Sequence, residues 1–175
     1  MPTDRAAAMH GSTESADVLV ERGLHRSTLW LAAATGQLEL VREWVSANGR
    51  LLKPAGPYRL NWADVGHQRG PKPTDDPKEI IEEALVAAMA NGRQAVVDYL
   101  LTGGASIDAR PYNNTTGLHF AKPKMVAHLL NSGASTDVED DHHHSSAVGW
   151  ATACLDRNPH AQRIKTLVDL ATTPS

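Results

Sequence analysis

The sequence predicts an all-α chain: a solenoid of about five helix–turn–helix units with short hairpin loops and one long insert. Three observations carry that expectation. Glycine recurs at fixed offsets, an apolar pair recurs in step with it, and each helical pair is too small to bury its own apolar face. The offset is twelve residues: Gly11 to Gly23, Gly36 to Asn48 (a residue that also tolerates the left-handed cap), and Gly92 to Gly104. The closing pairs are Leu19/Val20, Trp44/Val45, Leu100/Leu101 and Leu129/Leu130, the last followed by Gly133. A two-helix unit of this size needs copies of itself to form a core.

The first unit, residues 3–23, reads as an N-terminal cap. Thr3 or Asp4 supplies the helix start, and Ala16, Leu19 and Val20 face the next unit. The second, 24–48, is the clearest. Ala32, Ala33 and Ala34 leave little side chain between the first helix and a neighbour, and Gly36 stands where that helix stops. Beyond it Leu38, Val41, Trp44 and Val45 fall on one helical face, with Glu39, Arg42 and Glu43 opposite.

Residues 49–76 form the insert. Pro54, Pro57, Pro71 and Pro73, with Gly49, Gly56, Gly66 and Gly70, forbid a long helix there. Leu60 and Trp62 are expected to anchor it against the repeats. The third unit, 77–107, has a marked start: Asp76 as N-cap, Pro77 at the first helical position and Glu79 at the capping-box position. Its long first helix buries Ile80, Ile81, Ala84, Leu85 and Ala88. The fourth unit, 108–136, is shortened between its helices, so that Pro123 begins the second one, where its missing donor costs nothing. The fifth, 140–171, starts its first helix near Ser146, and its second helix, from Ala161 to Leu170, turns Ile164, Leu167 and Val168 inward.

Thr116-Gly117-Leu118-His119-Phe120-Ala121 and Gly103-Gly104-Ala105-Ser106-Ile107-Asp108 resemble the ankyrin repeat, whose pattern opens T-P-L-H-x-A and closes L-L-x-x-G-A. The resemblance covers nearly the whole chain apart from the insert. Gly11 to Gly36 spans 25 residues and Gly36 to Gly92 spans 56, against a family period of about 33, so one link is short and the other carries about 23 extra residues. The resemblance implies non-catalytic recognition of a protein partner through hairpin tips and the concave face. It also implies that His119 hydrogen-bonds within its turn and ties adjacent repeats, with Trp30 and Gly149 at the equivalent positions. Trp44 and Trp150 fall on core positions.

On that basis the partner-binding candidates are Tyr112, Asn113, Asn114, Asp140, His142, His143 and His144, all at hairpin tips and free of packing duty. An alternative places a small-molecule pocket or an active site between the repeats and the insert, walled by Tyr58, Trp62, Asp64 and His67. If the segment from Asp140 to His144 is extended, Asp140, His142 and His144 share one face, but a structural zinc site draws four ligands from separate segments. No metal or cofactor is expected. Cys154 beside His160 lacks an oxyanion element or an orienting residue, and no nucleotide or hydrolase motif is present.

The 175 residues carry a net charge of −3 without a Lys/Arg cluster, which argues against a nucleic-acid surface. The lone cysteine rules out an intrachain disulfide. No 18-residue apolar run and no apolar leader follow from the sequence, so the expectation is a cytoplasmic monomer without a membrane segment.

Overall fold

The computed structural model describes residues 17, 18, 21, 28–54, 74–111, 115–141, 143–153 and 161–173, with side chains in the last segment from Lys165 onward. Over these residues the chain is all-α. Its helices are α1 (Leu29–Ala34), α2 (Leu38–Trp44), α3 (Pro77–Ala90), α4 (Gln94–Thr102), α5 (Gly117–Phe120), α6 (Pro123–Asn131), α7 (Ala147–Ala153) and α8 (Ala161–Thr172). Isolated antiparallel bridges join Val45 to Leu51 and Glu139 to Ser146. None of the described helices is long and apolar enough to cross a membrane.

Helix α1 shows how small residues set the spacing. Thr28 caps it, its hydroxyl accepting from the Leu31 amide at 3.2 Å. All six residues of α1 are buried. It packs on α3, whose Ala84, Ala87 and Ala88 are also buried, so small side chains stand on both helices of the pair. The same relation continues along the chain: α1 packs on α3, α3 on α5 and α5 on α7. A second row forms beside the first, with α2 against α4 and α6 against α8.

Four helices stop in one way. At Gly36, Gly92, Gly104 and Gly133 the backbone is left-handed, with φ of 76°, 69°, 95° and 90°. Each glycine amide bonds to the carbonyl three residues back, and the next amide reaches five back: Gln37 to Ala32, Arg93 to Ala88, Ala105 to Leu100 and Ala134 to Leu129. These are the paired bonds of a Schellman cap, and they satisfy carbonyls that would otherwise be orphaned. Asn48 does not join the series. Helix α2 ends at Trp44, Val45 turns extended to pair with Leu51, and Gly49 takes the left-handed turn at φ 73°. A β-branched valine with a partner strand residue favours the bridge over another helical turn. A Cβ on Gly49 would collide with the Gly103 carbonyl oxygen, so this turn sits directly on the end of α4.

Helix α3 begins as expected, with Pro77 in the first turn and Asp76 accepting from the Lys78 amide at 3.0 Å. Glu79 departs from the expected box. Its carboxylate reaches past Asp76 to the Thr74 amide at 3.0 Å and the Thr74 hydroxyl at 2.6 Å. Ile80, Ile81, Ala84, Leu85 and Ala88 are buried, and so are Glu83, Val86, Ala87 and Met89. Beyond its exposed first turn, α3 is covered on nearly every side, as a helix at the centre of the stack is.

Helix α5 is only four residues long and α6 follows after two residues, starting at Pro123. Gly117 of α5 lies so close to Met89 of α3 that a Cβ would meet its sulfur. In α8 Leu167 is buried and Val168 partly so. The Ile164 side chain lies outside the described residues, as do the insert anchors Leu60 and Trp62 and nearly all of the first unit. Asp17 is the point at which that unit can be followed, 2.5 Å from the Arg93 guanidinium.

Candidate functional site

The hairpin tip between α6 and α7 is the best-defined candidate. Asp140 and Ser145 close it by a backbone bond of 3.1 Å, outside which Glu139 pairs with Ser146. The segment is therefore a tight turn, not the extended strand in which Asp140, His142 and His144 would share a face. Asp140 is buried, 1% exposed, and its carboxylate holds the turn together. It accepts from the His143 amide at 2.7 Å, the Ser145 amide at 3.3 Å and the Trp150 indole at 2.8 Å. A carboxylate with three donors is satisfied internally and frames the tip.

His143 and His144 are exposed at this tip. His144 has φ 49°, the one left-handed residue other than glycine among those described. The His143 ring stands edge-on to Trp150, with centroids 5.4 Å apart. Trp150 is half-buried rather than a core residue, and it also meets His119 at 5.3 Å and Phe120 at 6.1 Å, both edge-to-face. The tip is thus braced from below by an aromatic cluster. Among the described residues no three His, Cys, Asp or Glu side chains converge as a metal site requires.

His119 does the joining. It is buried, at the third position of α5, and its Nδ1 accepts from the Thr116 amide at 3.1 Å with the Thr116 hydroxyl 3.0 Å away. That assignment leaves the proton on Nε2, which points at the Ser145 carbonyl, 3.3 Å away in the next hairpin. Burial pushes the His119 pKa below its usual range, against the opposing pull of the Ser145 carbonyl and the Asp140 charge. In α1 the expected equivalent, Trp30, is buried, and Leu31 beside it gives its amide to the Thr28 hydroxyl. In α7 the equivalent is Gly149, whose amide bonds to the Ser146 hydroxyl at 3.2 Å.

Tyr112, Asn113, Asn114 and His142 lie outside the described residues. So do Tyr58, Trp62, Asp64 and His67, and with them the wall of the alternative pocket.

Sequence reasoning missed two contacts on the second row. The Arg42 guanidinium of α2 lies 5.5 Å from the centre of the Tyr99 ring on α4. Asp98 of α4 meets His128 of α6 at 2.6 Å. Arg42 and Asp98 both stand two residues before the closing apolar pair of their unit, and Tyr99 and His128 both stand one before it. The signal was present once the closing pairs were aligned: position minus two in one unit faces position minus one in the next.

No protein-family model matches this chain, and neither does any curated protein.

Proposed function

We propose that this chain is an ankyrin-type solenoid that binds a protein partner, without catalysis, through its hairpin tips and the concave face beside them. The observation that carries the reading is the repeated step between units. The contacts Arg42 to Tyr99 and Asp98 to His128 use the same two positions of successive units, one step apart along the chain. Two consecutive steps with the same register are what translation of one structural unit produces. The shared glycine caps at Gly36, Gly92, Gly104 and Gly133 support the same reading.

The interaction role rests on the tip between α6 and α7. Asp140 and Trp150 hold its frame from within, while His143 and His144 are exposed at its surface. A preorganised loop loses less entropy on binding than a mobile one. Tyr112, Asn113, Asn114 and His142 belong to the same proposed surface by their place in the sequence.

The test is capture of partners by the tagged protein from lysate of its source organism, followed by affinity measurement on the retained protein. Replacing Tyr112 and His144 with alanine should weaken binding about tenfold or more, as loss of interface anchors does. Unchanged affinity in that double variant would remove the tips from the interface.

A further inference from the structure

The turn that departs from the glycine series carries an Asn-Gly step, Asn48-Gly49, and a second such step, Asn91-Gly92, ends α3. An asparagine before glycine is open to attack by the following backbone nitrogen, since no side chain shields that nitrogen. Whether it happens depends on what holds the two groups.

We propose that Asn48 is a site of spontaneous deamidation and isoaspartate formation in the folded protein, and that Asn91 is protected from it. Asn48 is exposed at the tip of the turn. The Ser46 hydroxyl donates to its Oδ1 at 2.6 Å. That bond polarises the amide carbonyl and stabilises the oxygen on which negative charge develops during attack. The Gly49 amide donates to the Ser46 carbonyl at 2.9 Å, and this bond has to open before attack, in a turn whose Asn48 and Arg50 on either side are exposed.

Asn91 is held differently. It is 3% exposed, and its Nδ2 donates to the Ala87 carbonyl at 2.9 Å, one turn back along α3. Its backbone amide bonds to the same carbonyl at 3.2 Å. The side chain is thereby drawn towards the helix and away from the Gly92 nitrogen. Cyclisation there requires the end of α3 to unwind and a buried amide to lose its partner.

The chemistry balances without a cofactor. The Gly49 nitrogen gives its proton to water or hydroxide and bonds to Cγ of Asn48. The bond from Cγ to Nδ2 breaks, and ammonia leaves with a proton from solvent. One water then opens the succinimide. Cleavage of the ring nitrogen from Cγ yields aspartate, and cleavage from the main-chain carbonyl carbon yields isoaspartate. The isoaspartate form lengthens the main chain by a methylene and adds a carboxylate. It shifts the Ser46 to Arg50 pairing out of register and lifts Gly49 from its seat on Gly103.

The full chain is incubated at mildly alkaline pH and digested with trypsin. Cleavage gives residues 43–50 and 79–93 as separate peptides, each with one Asn-Gly step. Peptide 43–50 should gain the mass of an amide-to-acid conversion and react with an isoaspartyl methyltransferase. Peptide 79–93 should convert at least about tenfold more slowly, the ratio that about 1.4 kcal/mol of protection gives. The chain unfolded in urea should lose that difference, and Asn48→Gln should leave peptide 43–50 unchanged. Equal conversion of both peptides in the folded chain would overturn the proposal. So would an intact Asn48 over an interval in which the unfolded chain converts. Gly49→Ala is no substitute control, because its Cβ collides with Gly103 and the fold itself is at stake.

Discussion

Protonation of His119 should weaken the fold, and the sign follows from its partners. Nδ1 accepts from the buried Thr116 amide, so a proton on Nδ1 turns an acceptor towards a donor and breaks that bond. The native pKa is lowered from an ordinary value of 6.5, chiefly by burial. Above 6.5 both native and unfolded imidazoles are neutral and the full contribution is present. As pH falls through 6.5 the unfolded chain takes up the proton first, so stability declines until the lowered native pKa is reached. Within that window one proton changes stability by at most about 1.4 kcal/mol per pH unit.

The chain has nine histidines, so the contribution has to be isolated by difference. His119→Gln keeps a neutral donor and acceptor but does not titrate. At neutral to alkaline pH the variant should be less stable by about 1–2 kcal/mol, through poorer hydrogen-bond geometry. Urea unfolding followed by tryptophan fluorescence at a series of pH values gives both stabilities by linear extrapolation. The gap should close as the pH falls below 6.5, because only the wild type has a proton to gain at this position. A gap that stays constant, or widens on acidification, would refute the reasoning and the assigned tautomer with it.

The Trp44 indole N–H is buried with no hydrogen-bond acceptor among the described residues, while Lys53 covers the ring at 4.3 Å. Trp44→Phe should therefore be tolerated within about 1 kcal/mol, since relief of an orphaned donor offsets the lost volume, whereas Trp44→Ala should cost about 3–5 kcal/mol in the same assay. Gly117→Ala should cost about 1–3 kcal/mol by thermal or urea unfolding, because its Cβ drives into Met89 between α3 and α5. Restoring room with Met89→Ala in the same chain should give less than the sum of the two single losses, as residues sharing a contact do.

Glycine, proline and alanine were the legible residues, because each acts on its own backbone. Gly36, Gly92, Gly104 and Gly133 cap helices where the spacing puts them, and Pro77 and Pro123 begin helices where expected. Failure came where two segments compete for one residue. Asn48 follows a helical pattern, yet α2 stops at Trp44 because Val45 finds Leu51 across a turn. Asp140 sits in a charged run that reads as solvent-facing, but three nearby donors draw it inside. Such outcomes depend on partners that a linear pattern does not name.

The short helix α5 has a mechanical consequence. The pair α7 and α8 meets the preceding unit through an extensive seam between α6 and α8, and through only a slight one between α5 and α7. Resistance to bending is therefore unequal on the two sides of the stack. Flexing about the α6–α8 seam opens the side that carries the hairpin from Glu139 to Ser146. The His119 bond to the Ser145 carbonyl spans that opening beside the edge contacts of His119 and Phe120 with Trp150, so the imidazole and the indole together latch this joint.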